Sequence, residues 1–396
     1  MQLKKLILIL FLCSHFSYRL MAASVDTISV NALLQILTHQ QALTHQNNKF
    51  TKGTFPTFRT YHFNAAKPDD NIFYTALIVF TLRELYPNFN ARDKVLVDSI
   101  IQNALPSFKK FKNALGRNTY NFWPTKPSIV FPNGGWLNLM NTSMALPDDM
   151  DDTVISLMAL NTDSTNAQKV HLLMQQYVNL RNGKKNHSAP KILRHYPTYS
   201  TWFGDKMPVD FDICVLSNVL YFVYKNNLPV SKADSVAINF IKTCIAQNYL
   251  QTKSAMIAPH YQRLPVILYH LARLMSLPNF HGLDNERREL INMTHQLLNQ
   301  SSTHDFDKII LSTALLKWHD HPFQNNIIQT QSISDFLFKN DFVFFKATMG
   351  SILPSAFKNL FNFLNLGVFN YYSPSYNIAL LMEYLVLNKQ YTVSNP

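Results

Sequence analysis

Six segments of this chain open on a polar or kinked group and then run on as helices that are apolar on nearly every side. They are DDNIFYTALIVFTLREL (69–85), MDDTVISLMAL (150–160), FDICVLSNVLYFVY (211–224), QRLPVILYHLARLM (262–275), FDKIILSTALLKW (306–318) and SPSYNIALLMEYLVL (373–387). A helix that is apolar all round must be wrapped by others. Between the six lie more amphipathic segments with one polar face, near 27–44, 91–112, 164–181, 231–249, 284–300 and 332–348. Strand-like alternation is scarce. Wrapped and wrapping helices alternating six times predict an all-α fold, an (α/α)6 barrel or toroid of six inner and six outer helices. Its inner helices run parallel, so their N-termini meet at one end. The long excursions at 113–147 and 183–209 become loops over that end.

Composition narrows the function classes. Of 396 residues, 47% are hydrophobic and only nine are glycine. That argues against Gly-rich phosphate loops and hairpin-rich β folds. The first 24 residues have a basic start at Lys4 and Lys5, an apolar core from Leu6 to Cys13, and small residues at Ala22, Ala23 and Ser24. This resembles a secretory signal peptide. A secreted or periplasmic protein is expected, with residues 25–396 forming one domain and no transmembrane segment after cleavage. The two cysteines beyond that segment, Cys214 and Cys244, lie in apolar helical patterns and read as buried free thiols. The formal charge of +12 reads as a solvated basic exterior, with attraction to anionic envelope surfaces or polymers as its functional version. No nucleic-acid partner is expected.

The acids are unevenly placed. Asp69, Asp70, Asp148, Asp149, Asp151, Asp152, Asp210, Asp212, Asp305 and Asp307 are ten of the 24 acids, and all stand at or just before an inner-helix start. Aspartate is favoured there because it satisfies orphan N–H groups and the positive end of the helix dipole. Capping, however, uses one acid per helix, and four within 148–152 exceed it. Like charges that converge raise one another's pKa. A proton-donating carboxyl or a cation site is then physically sensible.

Asp149-Met150-Asp151-Asp152-Thr153, running on into VISLMAL, resembles the DxDDT motif of class II terpenoid cyclases. The resemblance implies an α/α barrel domain and protonation of an alkene or epoxide in an aromatic-lined cavity. By position Asp151 would be the acid, and Asp149 and Asp152 the carboxylates that tune it. An alkene is a poor base, so its donor must be a strong acid held protonated until use. Aromatic faces would stabilise the cation. The same letters contain DDxxD in Asp148, Asp149 and Asp152, which resembles the Mg²⁺-binding motif of class I terpene synthases. The chain lacks the Gly- and Trp-rich QW repeats of multi-domain cyclases.

Around the expected mouth, Asp70, Asp212, Asp307, Tyr261, Tyr376, Trp123, Trp136 and Trp202 are candidate substrate-binding residues. The substrate is a small hydrophobic or saccharide molecule. Paired carboxyls with Tyr and His also fit a secreted glycoside hydrolase or polysaccharide lyase, with Tyr261, Tyr376 or His260 as a lyase base. A third reading is a non-catalytic binding module whose acids cage a cation such as Mg²⁺ or Ca²⁺, or simply cap helices. No cofactor is required by the main reading.

Overall fold

The computed structural model describes residues 28–61, 65–133, 145–204, 206–321, 337, 342–348 and 367–394. Trp136 and the expected signal peptide lie outside them. Among the described residues the six wrapped helices are α2 (Phe73–Leu85), α4 (Met150–Ala159), α6 (Ile213–Lys225), α8 (Leu264–Met275), α10 (Asp305–Lys317) and α11 (Pro374–Ser394). Five amphipathic helices stand between them in the chain. These are α1 (Val30–Gln46), α3 (Ala91–Ala104), α5 (Ser164–Met174), α7 (Lys232–Ala246) and α9 (Arg287–Leu298). The wrapped helices are buried almost end to end. In α6 every residue from Ile213 to Val223 is buried, whereas α3 buries only Asp93, Val97, Ile100, Ile101 and Ala104. Each fully buried Leu, Ile or Phe contributes about 1.5–3 kcal/mol, so the wrapped set dominates the stabilisation.

In chain order α2 packs on α4, α4 on α6, α6 on α8, α8 on α10 and α10 on α11, and α11 packs back on α2. Contacts between helix starts show that these ends gather in one place. The rings of Phe73 and Tyr261 lie 6.4 Å apart, and those of Tyr74 and Tyr376 5.6 Å apart. The Tyr261 hydroxyl donates to Asp151. The His260 backbone N–H donates to Asp212 at 2.9 Å, and Arg263 pairs with Asp307.

The fold is mostly helical, not all-α. The chain from 332 to 348, expected as an outer helix, carries a strand at Phe345–Thr348. That strand (β3) joins β1 (Phe58–Tyr61), β2 (Lys67–Pro68) and β4 (Val368–Tyr372) in a four-stranded sheet of order β2-β1-β4-β3. All three pairings are antiparallel, with Phe58 opposite Tyr372 and Phe345 opposite Tyr371. Apolar and aromatic residues here satisfy a strand as readily as a helix, and β1 and β4, on which the sheet is built, lie about three hundred residues apart in the chain. The sheet meets the gathered helix starts through Phe345, whose ring packs on Phe73 at 5.5 Å and stacks on His260 at 5.7 Å.

Local signals account for the helix starts. Ser231 and Asp234 form a reciprocal capping box at α7. The Asp234 carboxylate also accepts from Tyr199 at 2.8 Å and contacts His171 Nε2 at 3.0 Å, which ties α5 to α7. At α10 the cap is His304, with Asp305 and Asp307 in the first turn. Cys214 and Cys244 are buried free thiols. Gly53 has φ +86° and sits on the end of α3, where an added Cβ would stand 2.1 Å from the Asn103 carbonyl oxygen. Gly53→Ala therefore combines an unfavourable φ with a backbone clash. It is expected to lower stability by about 2–4 kcal/mol, read as a fall in the urea midpoint. An unchanged midpoint would refute the close approach.

Candidate functional site

The helix α4 begins where two loops cross it. The Asp149 N–H donates to the Tyr120 carbonyl at 3.3 Å, and the Met150 N–H to the Thr201 carbonyl at 2.8 Å. These bridges hold the four carboxylates at fixed, buried positions, none more than 7% exposed. Each then meets a different fate. Asp148 turns toward Asn113, Thr119 and Arg117, the last as an ion pair at 3.3 Å. Asp149 is the N-cap of α4, accepting from the Asp152 N–H at 2.7 Å. Asp151 accepts from Asn218 Nδ2 at 2.6 Å and from the Tyr261 hydroxyl. Asp152 leaves its buried Oδ1 without a partner.

These surroundings favour protons on the carboxyls. Burial pushes Asp149 up to about 7 against the Asp152 donor, with Asp151 adding to the rise. Burial and the charge of Asp149 hold Asp152 well above the usual carboxylate range. Burial also raises Asp151, opposed by the Tyr261 and Asn218 hydrogen bonds and by the Arg273 charge. Asp212 caps α6 through the Cys214 N–H at 2.8 Å, and burial pushes it up to about 8 despite the His260 and Cys214 N–H donors.

Asn218 leads inward. Its Oδ1 accepts from Arg273, whose guanidinium lies 5.5 Å from the Phe80 ring and 5.6 Å from the Tyr269 ring. Arg273 is only 4% exposed, and its Nη1 has no partner. Tyr269 donates to Glu383 at 2.6 Å, and Glu383 pairs with Lys317 at 2.9 Å. The inner helices therefore enclose a polar chain that starts at Asp151. Asn218, Arg273 and Glu383 were not among the sequence candidates. Their one signal was a polar residue inside a helix otherwise apolar on every side.

The remaining candidates divide. Tyr261 touches Asp151, and Trp202 lies beside it in the wall, 5.9 Å from the His260 ring and bridged through its backbone to Asp149. Tyr376 is fully buried among Tyr74 and Phe344. Asp70 faces the other way, bound to Thr51 at 2.7 Å and Lys110 at 3.3 Å. Its neighbour Asp69 instead reaches the aromatic cluster, accepting from Trp123 Nε1 at 3.0 Å and pairing with Arg59. Asp307 is taken up by Arg263. Trp123 and Trp202 are buried at 6% and 7% exposure, so neither offers an open stacking face. Among the described residues no group of three His, Cys, Asp or Glu is arranged to hold a metal ion. Asp148 in particular is turned to Arg117 and away from a shared DDxxD face.

A separate cleft of about 560 Å³ opens at the far ends of α2, α4 and α6. Its charges are matched within its own wall: Glu84 with Lys225 at 2.9 Å, Arg83 with the Ala159 carbonyl at 2.6 Å, and Asp98 with the Tyr86 hydroxyl at 3.1 Å.

Folded-state pKa values near 7 and 8 for Asp149 and Asp212 exceed the unfolded value of about 3.9. The folded chain thus holds protons that the unfolded chain releases. That stability is fully present below about pH 4 and is lost as pH rises toward 7–8, with a slope of up to about 1.4 kcal/mol per pH unit for each group. Urea midpoints measured from pH 4.5 to 8 should fall, and Asp212→Asn should flatten the fall. A slope unchanged in that variant would mean that Asp212 is already ionised.

No family model, no curated protein and no solved structure matches the chain.

Proposed function

We propose that the chain is an exported enzyme built as an (α/α)6 toroid. It protonates a hydrophobic alkene with Asp151 and so starts a cyclisation or isomerisation. The observation that carries the reading is the setting of Asp151. It is buried at the gathered helix starts, held by two neutral donors, and flanked by a carboxyl pair that burial raises, Asp149 to about 7 and Asp152 well above the usual carboxylate range.

Such a donor has to satisfy two demands that pull apart. It must carry its proton at the working pH, and it must release that proton to a very weak base. Burial meets the first by disfavouring the anion. The Tyr261 hydroxyl, the Asn218 amide and the Arg273 charge meet the second, because all three steady the carboxylate once the proton has left. Asp149 and Asp152 keep the local charge low enough for the proton to remain. Phe73 and Phe345 pack against Tyr261, and Phe122 and Tyr371 pack behind them, giving the aromatic surroundings in which a carbocation is tolerated. This supports the cyclase reading over the glycan one, which wants exposed Trp and Tyr faces.

The test is product analysis by gas chromatography and mass spectrometry after incubation with a panel of linear polyunsaturated isoprenoids. Turnover in D₂O should place one deuterium on the protonated carbon. Asp151→Asn should lower turnover by at least about 10³-fold while the far-UV circular dichroism stays unchanged. Full turnover in that variant, or no product from any member of the panel, overturns the assignment.

A further inference from the structure

Two long stretches of the chain contain no acids. Residues 99–147 hold Lys109, Lys110, Lys112, Arg117 and Lys126 and no Asp or Glu. Residues 164–204 hold Lys169, Arg181, Lys184, Lys185, Lys191 and Arg194, again with no Asp or Glu. These eleven cations nearly equal the formal net charge of +12 of the whole chain. Both stretches are joined to the acid-bearing helix starts. The Phe203 N–H donates to the Asp148 carbonyl at 3.0 Å, and Ser188 donates to Asp210 at 2.8 Å. Arg117 bridges the two loops, reaching Asp148 and the Tyr177 hydroxyl, each at 3.3 Å.

Three turns on these loops each push an apolar side chain into solvent between cations. Leu115 is 95% exposed in the turn closed by the Gly116 N–H on Asn113, with Lys112 and Arg117 on either side. Leu180 is 43% exposed and next to Arg181, at a φ of +69° that a leucine rarely adopts. Its N–H closes a turn on the Lys184 carbonyl. Ile192 is 51% exposed in the single 3₁₀ turn Lys191–Leu193, followed by Arg194. A soluble polyanion would use the cations and leave these three side chains idle. A bilayer uses both: anionic headgroups attract the Lys and Arg side chains, and the Leu and Ile side chains enter the headgroup–acyl boundary.

We propose that this loop face docks the protein on a bilayer carrying anionic phospholipid headgroups. The proposal does not depend on the chemistry assigned to Asp151. Co-sedimentation of the purified protein with phosphatidylcholine vesicles, with and without phosphatidylglycerol, tests it. Binding is expected only with the anionic lipid, and it should fall steeply at about 1 M salt, where screening shortens to about 3 Å. Lys185→Gln with Lys191→Gln should weaken binding about 25-fold, about fivefold for each charge. Leu115→Ser with Ile192→Ser should weaken vesicle binding but leave retention on a heparin column unchanged. Val95→Ser, a change at another exposed apolar side chain, on α3, should alter neither. Equal binding to the two vesicle types overturns the proposal. So does unchanged vesicle binding in the Leu115/Ile192 variant, which would leave charge alone as the source of binding and give the exposed Leu and Ile side chains no part in it.

Discussion

The rest of the structure depends on six apolar helices beginning in the same place. Each helix start brings N–H groups without intrahelical partners and the positive end of a dipole. Six of them together make a region that attracts negative charge yet is shut away from water by the side chains that pack there. Aspartate answers the first property and suffers from the second. Asp149 and Asp212 show both at once: each accepts backbone N–H bonds as a cap, and each is pushed by burial toward neutral pH. The same geometry thus makes the helices possible and makes their caps unusual acids.

Capping does not account for all of it. Asp151 receives side-chain donors from two other helix units, and Asp152 leaves an oxygen unpartnered in the interior. A buried acceptor without a donor costs about 1–3 kcal/mol, more if charged. A chain selected for stability alone would have an apolar residue at 152, and an Asn or Ser would serve for the cap at 149. Retaining three carboxyls in four positions, with Arg273 buried nearby, is a standing cost that a capped helix does not explain.

Much of this was legible in the sequence. The six wrapped segments and five of the wrapping ones were marked by periodicity, because burial on all sides leaves no other pattern. The carboxyl cluster was legible because acids are scarce and local. The sheet was not, since β1 and β4 pair across some three hundred residues and neither has an alternating pattern. The pattern points to Asp70 where Asp69 reaches the cluster, because a helix start fixes the region but leaves the direction of adjacent side chains to the segment that leads into it. Asn218 and Arg273 were missed for a related reason. A single polar residue in an apolar helix gains meaning only once its partner on another helix is known.

The buried acids also bear on the exterior. A formal charge of +12 counts all 24 acids as ionised. With Asp152 held well above the usual range, Asp212 near 8 and Asp149 near 7, that count overstates the negative charge at neutral pH. Of these three, Asp149 is bridged through its backbone to Tyr120 and Trp202, one in each acid-free stretch. Protonating the interior therefore removes a counterweight to Arg117, Arg181, Lys185 and Lys191, and the field that those loops present to an anionic surface is stronger than the sequence count implies. The burial that raises these carboxyls thus also lessens the negative charge set against the basic loops.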